Sequence, residues 1–267
     1  MKDLSTFTKF FLGTALWTFG FLGIAAYASE KAFQADPEII KKVEKGLGQE
    51  YMDNVKISFG ENDGEDTTDV WNLKPPRQTL AIRTVASDVT IKRGQGSMVV
   101  IKAAGRLDKS RAEKLLVIHQ TDQMLEIREP DDGAVSSSAV TIEIPESFRK
   151  EIDFKTVSGD LRIERLVLQK LSIKTVSGDI QLNEMGVQEG SFKTFSGDIL
   201  LENEKPANLD IVTVSGNVAL NLSENLPETE FSLLSVSGDI ENSHPSTTKK
   251  AAFSVNVKTT SGDIRIE

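Results

Sequence analysis

Residues 175–180 read Thr-Val-Ser-Gly-Asp-Ile, and close variants of this stretch return throughout the carboxyl-terminal half of the chain. The Ser-Gly-Asp triplet occurs five times and is joined by one Ser-Gly-Asn variant. The glycines follow one another at intervals of 19, 19, 19, 22 and 24 residues, at Gly159, Gly178, Gly197, Gly216, Gly238 and Gly262. A repeat of this length is typical of stacked and solenoid architectures.

The six copies share one polarity pattern around the glycine. The positions five before, two after and four after the glycine are apolar in every copy, with Asn242 as the single exception. The position three before it is Thr or Ser. Several intervening positions are charged, namely Lys155, Lys174, Lys193 and Lys258. Alternation with a period of two predicts that each copy is a strand, a tight turn and a second strand.

The turn triplet has its own chemistry. Glycine adopts a positive φ without a Cβ clash, and Asp or Asn can accept a hydrogen bond from a nearby backbone amide in an Asx-type turn. Asn217 would keep that hydrogen bond while losing the negative charge. This exception favours turn formation over the alternative of a catalytic or calcium-binding row of aspartates.

A seventh, degenerate copy is predicted at residues 80–91, with Ala86-Ser87 in place of Ser-Gly. Further strand-like runs follow at 98–101, 115–118, 124–127 and 139–144, so the β region is predicted to begin near residue 78. A short helical turn is predicted at 111–114. The structural turn motif is therefore predicted to comprise Ser87, Asp88, Gly159, Asp160, Gly178, Asp179, Gly197, Asp198, Gly216, Asn217, Gly238, Asp239, Gly262 and Asp263.

Two all-β architectures can use this pattern. In a parallel β-helix, or β-solenoid, each copy is one coil of about 19 to 24 residues and equivalent side chains stack on one another. In an antiparallel meander each copy is a hairpin. The column of Thr residues favours the parallel β-helix, preceded by one amino-terminal hydrophobic helix.

Residues 1–28 form a predicted signal peptide or transmembrane anchor. Phe10 to Ala28 is an uncharged run of 19 residues, just long enough to span a bilayer, and Lys2 and Lys9 precede it. Basic residues on the amino side predict that the remainder crosses the membrane. Ala26-Tyr27-Ala28 also fits a signal-peptidase site, so a single-pass anchor and secretion after cleavage at Ala28 both stay open.

Residues 29–77 are predicted to be a partly helical juxtamembrane spacer, and residues 78–267 the β-solenoid domain. Asp36-Pro37-Glu38 is a helix-start signature, followed by apolar residues at intervals of four. The acidic run at 61–66 lacks the ligand spacing of an EF-hand loop and is predicted to be a solvated loop.

Composition limits the possible functions. The chain has 40 acidic and 31 basic residues, so a nucleic-acid partner is not expected. It contains no cysteine, which excludes disulfides and thiolate chemistry. Its two histidines are His119, predicted to lie in a strand, and His244, predicted to lie in a solvent-exposed loop. We therefore expect no catalytic residue, no cofactor and no metal site.

The repeated Thr-Val-Ser-Gly-Asp-Ile motif, the Ile142-Glu143-Ile144-Pro145 segment and the upstream copy at 84–89 resemble the bacterial "putative adhesin" family of unknown-function domains. The resemblance covers about residues 78–267. It implies a β-helical extracytoplasmic domain that is in some members tethered by one transmembrane helix or associated with envelope-stress systems. It implies no catalytic residues.

These features predict a non-enzymatic adhesin or protein-interaction domain of the bacterial cell envelope. The domain would lie outside the cytoplasm and contact the membrane through its amino-terminal helix. Its partner would be an envelope protein or a surface ligand, whose identity the sequence does not give. Two alternatives are an accessory protein of an envelope-stress system and a β-helix enzyme that acts on polysaccharides.

Overall fold

The structure is a computed structural model, and it describes residues 64–130, 133–204, 208–222, 227–244 and 251–267. The predicted membrane segment, the predicted spacer helix and residues 61–63 of the acidic run lie outside these residues. The end of that run is not the predicted loop, because Glu65 and Asp66 are exposed residues of a β-strand. Among the residues that are described, no helix is both long and apolar enough to cross a bilayer.

The described chain is built from β-strands. The first nine strands are β1 (Glu65–Leu73), β2 (Thr79–Arg83), β3 (Asp88–Gly94), β4 (Val99–Leu107), β5 (Val117–Gln120), β6 (Met124–Arg128), β7 (Val135–Pro145), β8 (Glu151–Ser158) and β9 (Leu161–Glu164). The next ten are β10 (Val167–Ser177), β11 (Ile180–Asn183), β12 (Gly186–Ser196), β13 (Ile199–Glu204), β14 (Asn208–Ser215), β15 (Val218–Leu222), β16 (Thr229–Ser237), β17 (Ile240–Asn242), β18 (Phe253–Ser261) and β19 (Ile264–Ile266).

The strands form two mixed sheets. Sheet I has ten strands in the order β1-β4-β7-β3-β9-β11-β13-β15-β19-β17. Sheet II has nine strands in the order β16-β18-β14-β12-β10-β8-β2-β6-β5. The prediction of an all-β fold is confirmed for the described residues.

Each of the six copies contributes one strand to each sheet, and the glycine turn connects the two. Equivalent residues of neighbouring copies are hydrogen-bonded partners in parallel strands, so Ile173 pairs with Phe154 on one side and with Phe192 on the other. In sheet I, Ile180 likewise pairs with Leu161 and Ile199. Parallel pairing between copies rules out the antiparallel meander, in which neighbouring copies would run in opposite directions.

The stacking order departs from the chain order at the last two copies. The sixth copy, β18 and β19, lies between the fourth copy, β14 and β15, and the fifth copy, β16 and β17. Val212 of the fourth copy therefore pairs with Lys258 of the sixth, and Lys258 pairs on its other side with Leu234 of the fifth. Nothing in the spacing of the glycines indicates this exchange, because the two longer intervals are compatible with simple surface loops.

The core consists of the apolar columns predicted from the repeat. The column five residues before the glycine is completely buried in five copies, at Phe154, Ile173, Phe192, Ile211 and Val257. The two columns after the glycine are at most 2% exposed in the same five copies. The strands of both sheets alternate buried and outward-facing residues, as the period of two requires.

The fifth copy has different burial because it is the last one in the stack. Ile240 is 44% exposed, and Leu233 is only partly buried. Asn242, which breaks the apolar pattern, is exposed in this copy. A polar residue is tolerated here because this end of the apolar column is in contact with solvent. The repeat alignment alone does not show that the fifth copy is terminal.

The degenerate upstream copy takes its place directly before the first regular copy. Ile82 pairs with Phe154, and Val89 and Ile91 pair with Leu161 and Ile163. Ser87 therefore occupies the position of the glycine, as the alignment predicts. The intervening residues 95–150 do not separate the two copies, because they form strands elsewhere in the two sheets.

Antiparallel strands close the other end of the stack. In sheet I, β1 pairs with β4 and β4 with β7, and in sheet II β5 pairs with β6. The strand β1 extends the sheet upstream of the expected start of the β region near residue 78. The predicted helical turn at 111–114 does not form there. A hydrogen-bonded turn lies just before it, in which Arg111 and Ala112 donate their N–H groups to the Asp108 carbonyl.

Candidate functional site

The six repeat glycines form one edge of the stack, and each has a φ between +124° and +153°. A Cβ atom on any of them would lie only 2.1–2.3 Å from the carbonyl oxygen of the equivalent residue in the neighbouring copy. For Gly178 that atom is the carbonyl oxygen of Gly159, and for Gly159 it is that of Ser87. Both the backbone conformation and the close approach of the copies therefore require glycine here.

The residues that follow these glycines are joined in a continuous row of hydrogen bonds, which we call the Asx ladder. Each Oδ1 except that of the last residue accepts the backbone N–H of the equivalent residue in the next copy, over 2.7–3.0 Å. The order along the ladder is Asp88, Asp160, Asp179, Asp198, Asn217, Asp263 and Asp239. The sequence suggested a bond within each turn, whereas these bonds join one copy to the next.

The ladder explains how stacked carboxylates are tolerated. Every ladder aspartate except the terminal Asp239 accepts a charge-assisted hydrogen bond from an amide, which offsets part of the repulsion between neighbouring carboxylates. Asn217 makes the same two contacts as its neighbours, since its Oδ1 accepts from Asp263 and its N–H donates to Asp198. Within the described ranges, no group of three or more His, Asp or Glu side chains is arranged to hold a metal ion.

A buried carboxylate lies beside the first step of the ladder. Glu129, only 5% exposed, accepts the N–H of Val85 over 2.8 Å and the hydroxyl of Ser87, which also contacts the Ser138 hydroxyl. Sequence reasoning missed Glu129, although a signal exists. It is in phase with the inward-facing Leu125 and Ile127 of β6, so the alternation alone places it on the buried side.

The Thr column lies just inside the turn. Thr156 and Thr175 donate their hydroxyls to the carbonyls of Ser158 and Ser177 over 3.1 Å, which braces the strand before each glycine. The buried hydroxyls of Thr84, Thr194 and Thr213 have no hydrogen-bond partner in the described part of the chain. The column thus serves mainly as β-branched packing, with the extra hydrogen bond made in only some copies.

The two histidines lie at opposite ends of the stack and do not form a shared site. His119 lies on the edge strand β5, as predicted, and is exposed. His244 lies in a loop after β17, as predicted, but it is less exposed than expected. Its ring stacks on Phe231 with centroids 6.1 Å apart, and this contact leaves the residue only partly exposed.

A shallow cavity of about 430 Å³ lies on the turn before β5 and is lined in part by Arg111, Lys114 and Arg128. The Lys114 ammonium lies 5.6 Å from the centre of the Trp71 ring. Hydrogen bonds from the Ser110 hydroxyl and backbone amide, with a further contribution from nearby Arg111, lower the pKa of Asp108 at the base of this turn. The lining combines these cations with Glu113 and apolar side chains, and it includes no serine or histidine.

The paired copies, the glycine edge and the inward apolar columns define a β-solenoid-like protein. Residues 77–267 match the family model of the Toastrack domain, DUF4097, and the chain belongs to this family of unknown function. The family predicted from the Thr-Val-Ser-Gly-Asp-Ile motif is thereby confirmed.

Two solved structures align with most of this chain. A putative cell adhesion protein from Clostridium sporogenes aligns with a TM-score of 0.52 and 14% identity, over 76% of this chain and 99% of that protein. A putative adhesin from Bacteroides fragilis has a TM-score of 0.44 and 16% identity, over 76% of this chain and 97% of that protein. No curated protein gives a significant match to the sequence.

Proposed function

We propose that this chain is a non-enzymatic β-solenoid that presents an interaction surface in the bacterial cell envelope and acts in adhesion or protein binding. One copy of about 19 to 24 residues would form each coil. The uncharged run from Phe10 to Ala28 supports export, with the domain tethered to the membrane by this helix or released by cleavage after Ala28. The partner would be an envelope protein or a surface ligand.

The observation that carries this proposal is the exact register of the copies. Because equivalent residues pair strand by strand, every outward-facing position becomes a straight row that extends over several copies. Rows of this kind give a flat and rigid face, whereas catalysis requires a few different groups to converge on one point. The similarity in fold to a putative cell adhesion protein from Clostridium sporogenes is compatible with such a role, which we extend to this chain as part of the proposal.

A deletion strain tests the proposal. In the host bacterium, loss of the gene is expected to reduce the retention of cells on a surface, and the full-length chain should restore it. A reporter of envelope stress, followed in the same cultures, should remain unchanged.

Other outcomes of this experiment would replace the proposal. A changed stress reporter with normal retention would indicate an accessory protein of the stress system. Release of sugar fragments from purified cell-wall polysaccharide by the full-length chain, abolished by one Asp substitution, would indicate an enzyme.

A further inference from the structure

The outward face of sheet II carries a row of stacked cations, which we call the lysine row: Lys155, Lys174, Lys193 and Lys258. Lys174 pairs directly with Lys155 on one side and with Lys193 on the other. Val212 separates Lys193 from Lys258, because the sixth copy follows the fourth in the stack. Neighbouring positions in such a row are about 4.8 Å apart, the spacing of adjacent strands.

The lysines of this row form no ion pair within the described part of the chain. None of its four ammonium groups forms a salt bridge or a side-chain hydrogen bond there, whereas Lys92, Lys102 and Lys109 each pair with a glutamate. Like charges that lie directly opposite one another in a sheet are destabilising. The row continues into Arg83, which pairs with Lys155 and is itself neutralised by Asp153. The fold therefore holds three adjacent unpaired lysines against their mutual repulsion, and binding of an anion would relieve it.

The outward-facing residues of sheet II on either side of the lysine row restrict which ligands can bind to it. On the turn side lies a row of mostly apolar, half-buried side chains, namely Val157, Val176, Phe195, Val214 and Val236. The buried Thr260 of the sixth copy interrupts it between Val214 and Val236. On the other side Asp153 is paired with Arg83, and Asp210 lies two residues before Val212. The result is a cationic strip one residue wide, with an apolar border on one side and two carboxylates on the other.

No comparable row exists on the outward face of sheet I among the described residues. The equivalent positions there are Arg162, Gln181, Leu200, Ala219, Arg265 and Glu241, which carry no constant charge. Arg265 is moreover paired with Glu241 over 2.9 Å. The net charge of the whole chain is −9, so the lysine row is a local exception on an acidic protein.

We propose that the lysine row binds a linear polyanion that lies along the stacking axis, for example an envelope polymer with one phosphate or one carboxylate in each repeat. This inference rests on the proposed function and specifies its ligand class. A linear polymer fits a strip of this width and places its uncharged part on the apolar row. A flat anionic bilayer would also press against Asp153 and Asp210, which disfavours it.

The experiment uses the full-length chain in detergent micelles and two probes, long-chain inorganic polyphosphate and polygalacturonate, with neutral dextran as the blank. The test variant is K155Q/K174Q/K193Q. The matched control is K92Q/K102Q/K109Q, which removes the same charge from residues outside the lysine row. Circular dichroism and the urea midpoint verify that both variants fold.

We expect at least one polyanion to bind the wild type, more weakly as salt is raised, and dextran not to bind. The test variant should bind about tenfold more weakly, equivalent to about 1.4 kcal/mol, and the control within about twofold of wild type. Preference for polyphosphate or for polygalacturonate would identify the phosphate or the carboxylate class.

Equal weakening in the two variants would overturn the proposal, as would binding of neither polymer. Binding only to vesicles of phosphatidylglycerol would overturn it in favour of a membrane surface. If the deletion strain loses retention while polymer affinity does not depend on the lysine row, the proposed function stands and this ligand class is wrong.

Discussion

The Oδ1 atom of Asp160 accepts the backbone N–H of Asp179 in the next copy, over 2.9 Å. The contact links two residues 19 positions apart, and the same contact recurs along the whole Asx ladder. Each turn triplet therefore makes two links at once. Its glycine allows the copies to approach closely, and its Asp or Asn hydrogen-bonds the copies to each other.

The glycine requirement can be tested with a matched pair of substitutions. Gly178→Ala should lower the free energy of unfolding by about 3 kcal/mol, because the new Cβ meets a carbonyl oxygen and φ is unfavourable. Gly186→Ala, where the nearest atom is a Val167 methyl at 3.5 Å, should change it by less than about 0.5 kcal/mol. Urea unfolding measures both, and equal losses would refute the close approach.

The ladder predicts that the hydrogen bond matters more than the charge. Asp179→Asn should be nearly neutral, since Asn217 already fills an equivalent position, while Asp179→Ala should cost about 1 kcal/mol. Gly178→Val, at the adjacent position, should be far more damaging than Asp179→Asn. Thermal unfolding provides the comparison, and similar melting temperatures for Gly178→Val and Asp179→Asn would contradict the structural role of the turn.

Glu129 is expected to be required for stability at the first turn. Glu129→Ala would leave the N–H of Val85 without its short acceptor contact and would leave the buried hydroxyl of Ser87 with Ser138 alone, at a cost of about 3 kcal/mol. Glu126→Ala is the control, because this residue of the same segment is partly exposed. If both substitutions shift the urea midpoint equally, the buried carboxylate has no special role.

The stacking order predicts opposite behaviour for two equivalent isoleucines. Ile264 of the sixth copy is 1% exposed, and Ile264→Ala should cost about 3 kcal/mol. Ile240 of the fifth copy is 44% exposed, and Ile240→Ala should cost less than about 1 kcal/mol. Stacking in chain order would make the sixth copy terminal, and the ranking measured by chemical denaturation would then be reversed.

The sequence predicts most of the repeat and little of what interrupts it. The apolar columns, the seven copies and the glycine positions follow from the period of two and the steric freedom of glycine. The exchanged order of the fifth and sixth copies cannot be predicted in this way, because Ile240 and Ile264 are equivalent in the alignment of the copies. The single sequence feature that distinguishes the terminal copy is Asn242, a polar and exposed residue in an otherwise apolar column.

The second corner of the stack shows a further limit of sequence reasoning. Arg165 and Glu184 lie 19 residues apart and both adopt a left-handed backbone conformation, with φ of 54° and 53°. Neither position carries the Gly or Asn that usually indicates this conformation, so no local signal was available. The conformation is imposed by the pairing of the strands on either side, in which the N–H of Arg165 donates to the Asn183 carbonyl.

The central claim is that the copies stack in register and that the sixth copy lies between the fourth and the fifth. Engineered disulfides test it most directly, since the natural chain has no cysteine. Val212 and Leu234 flank Lys258 on opposite sides, so V212C/K258C and the reference pair L234C/K258C should both oxidise to disulfides. V212C/L234C should not, because two strand spacings of about 4.8 Å exceed the reach of a disulfide. Oxidation of V212C/L234C in place of V212C/K258C would show that the copies stack in chain order and would contradict the structure.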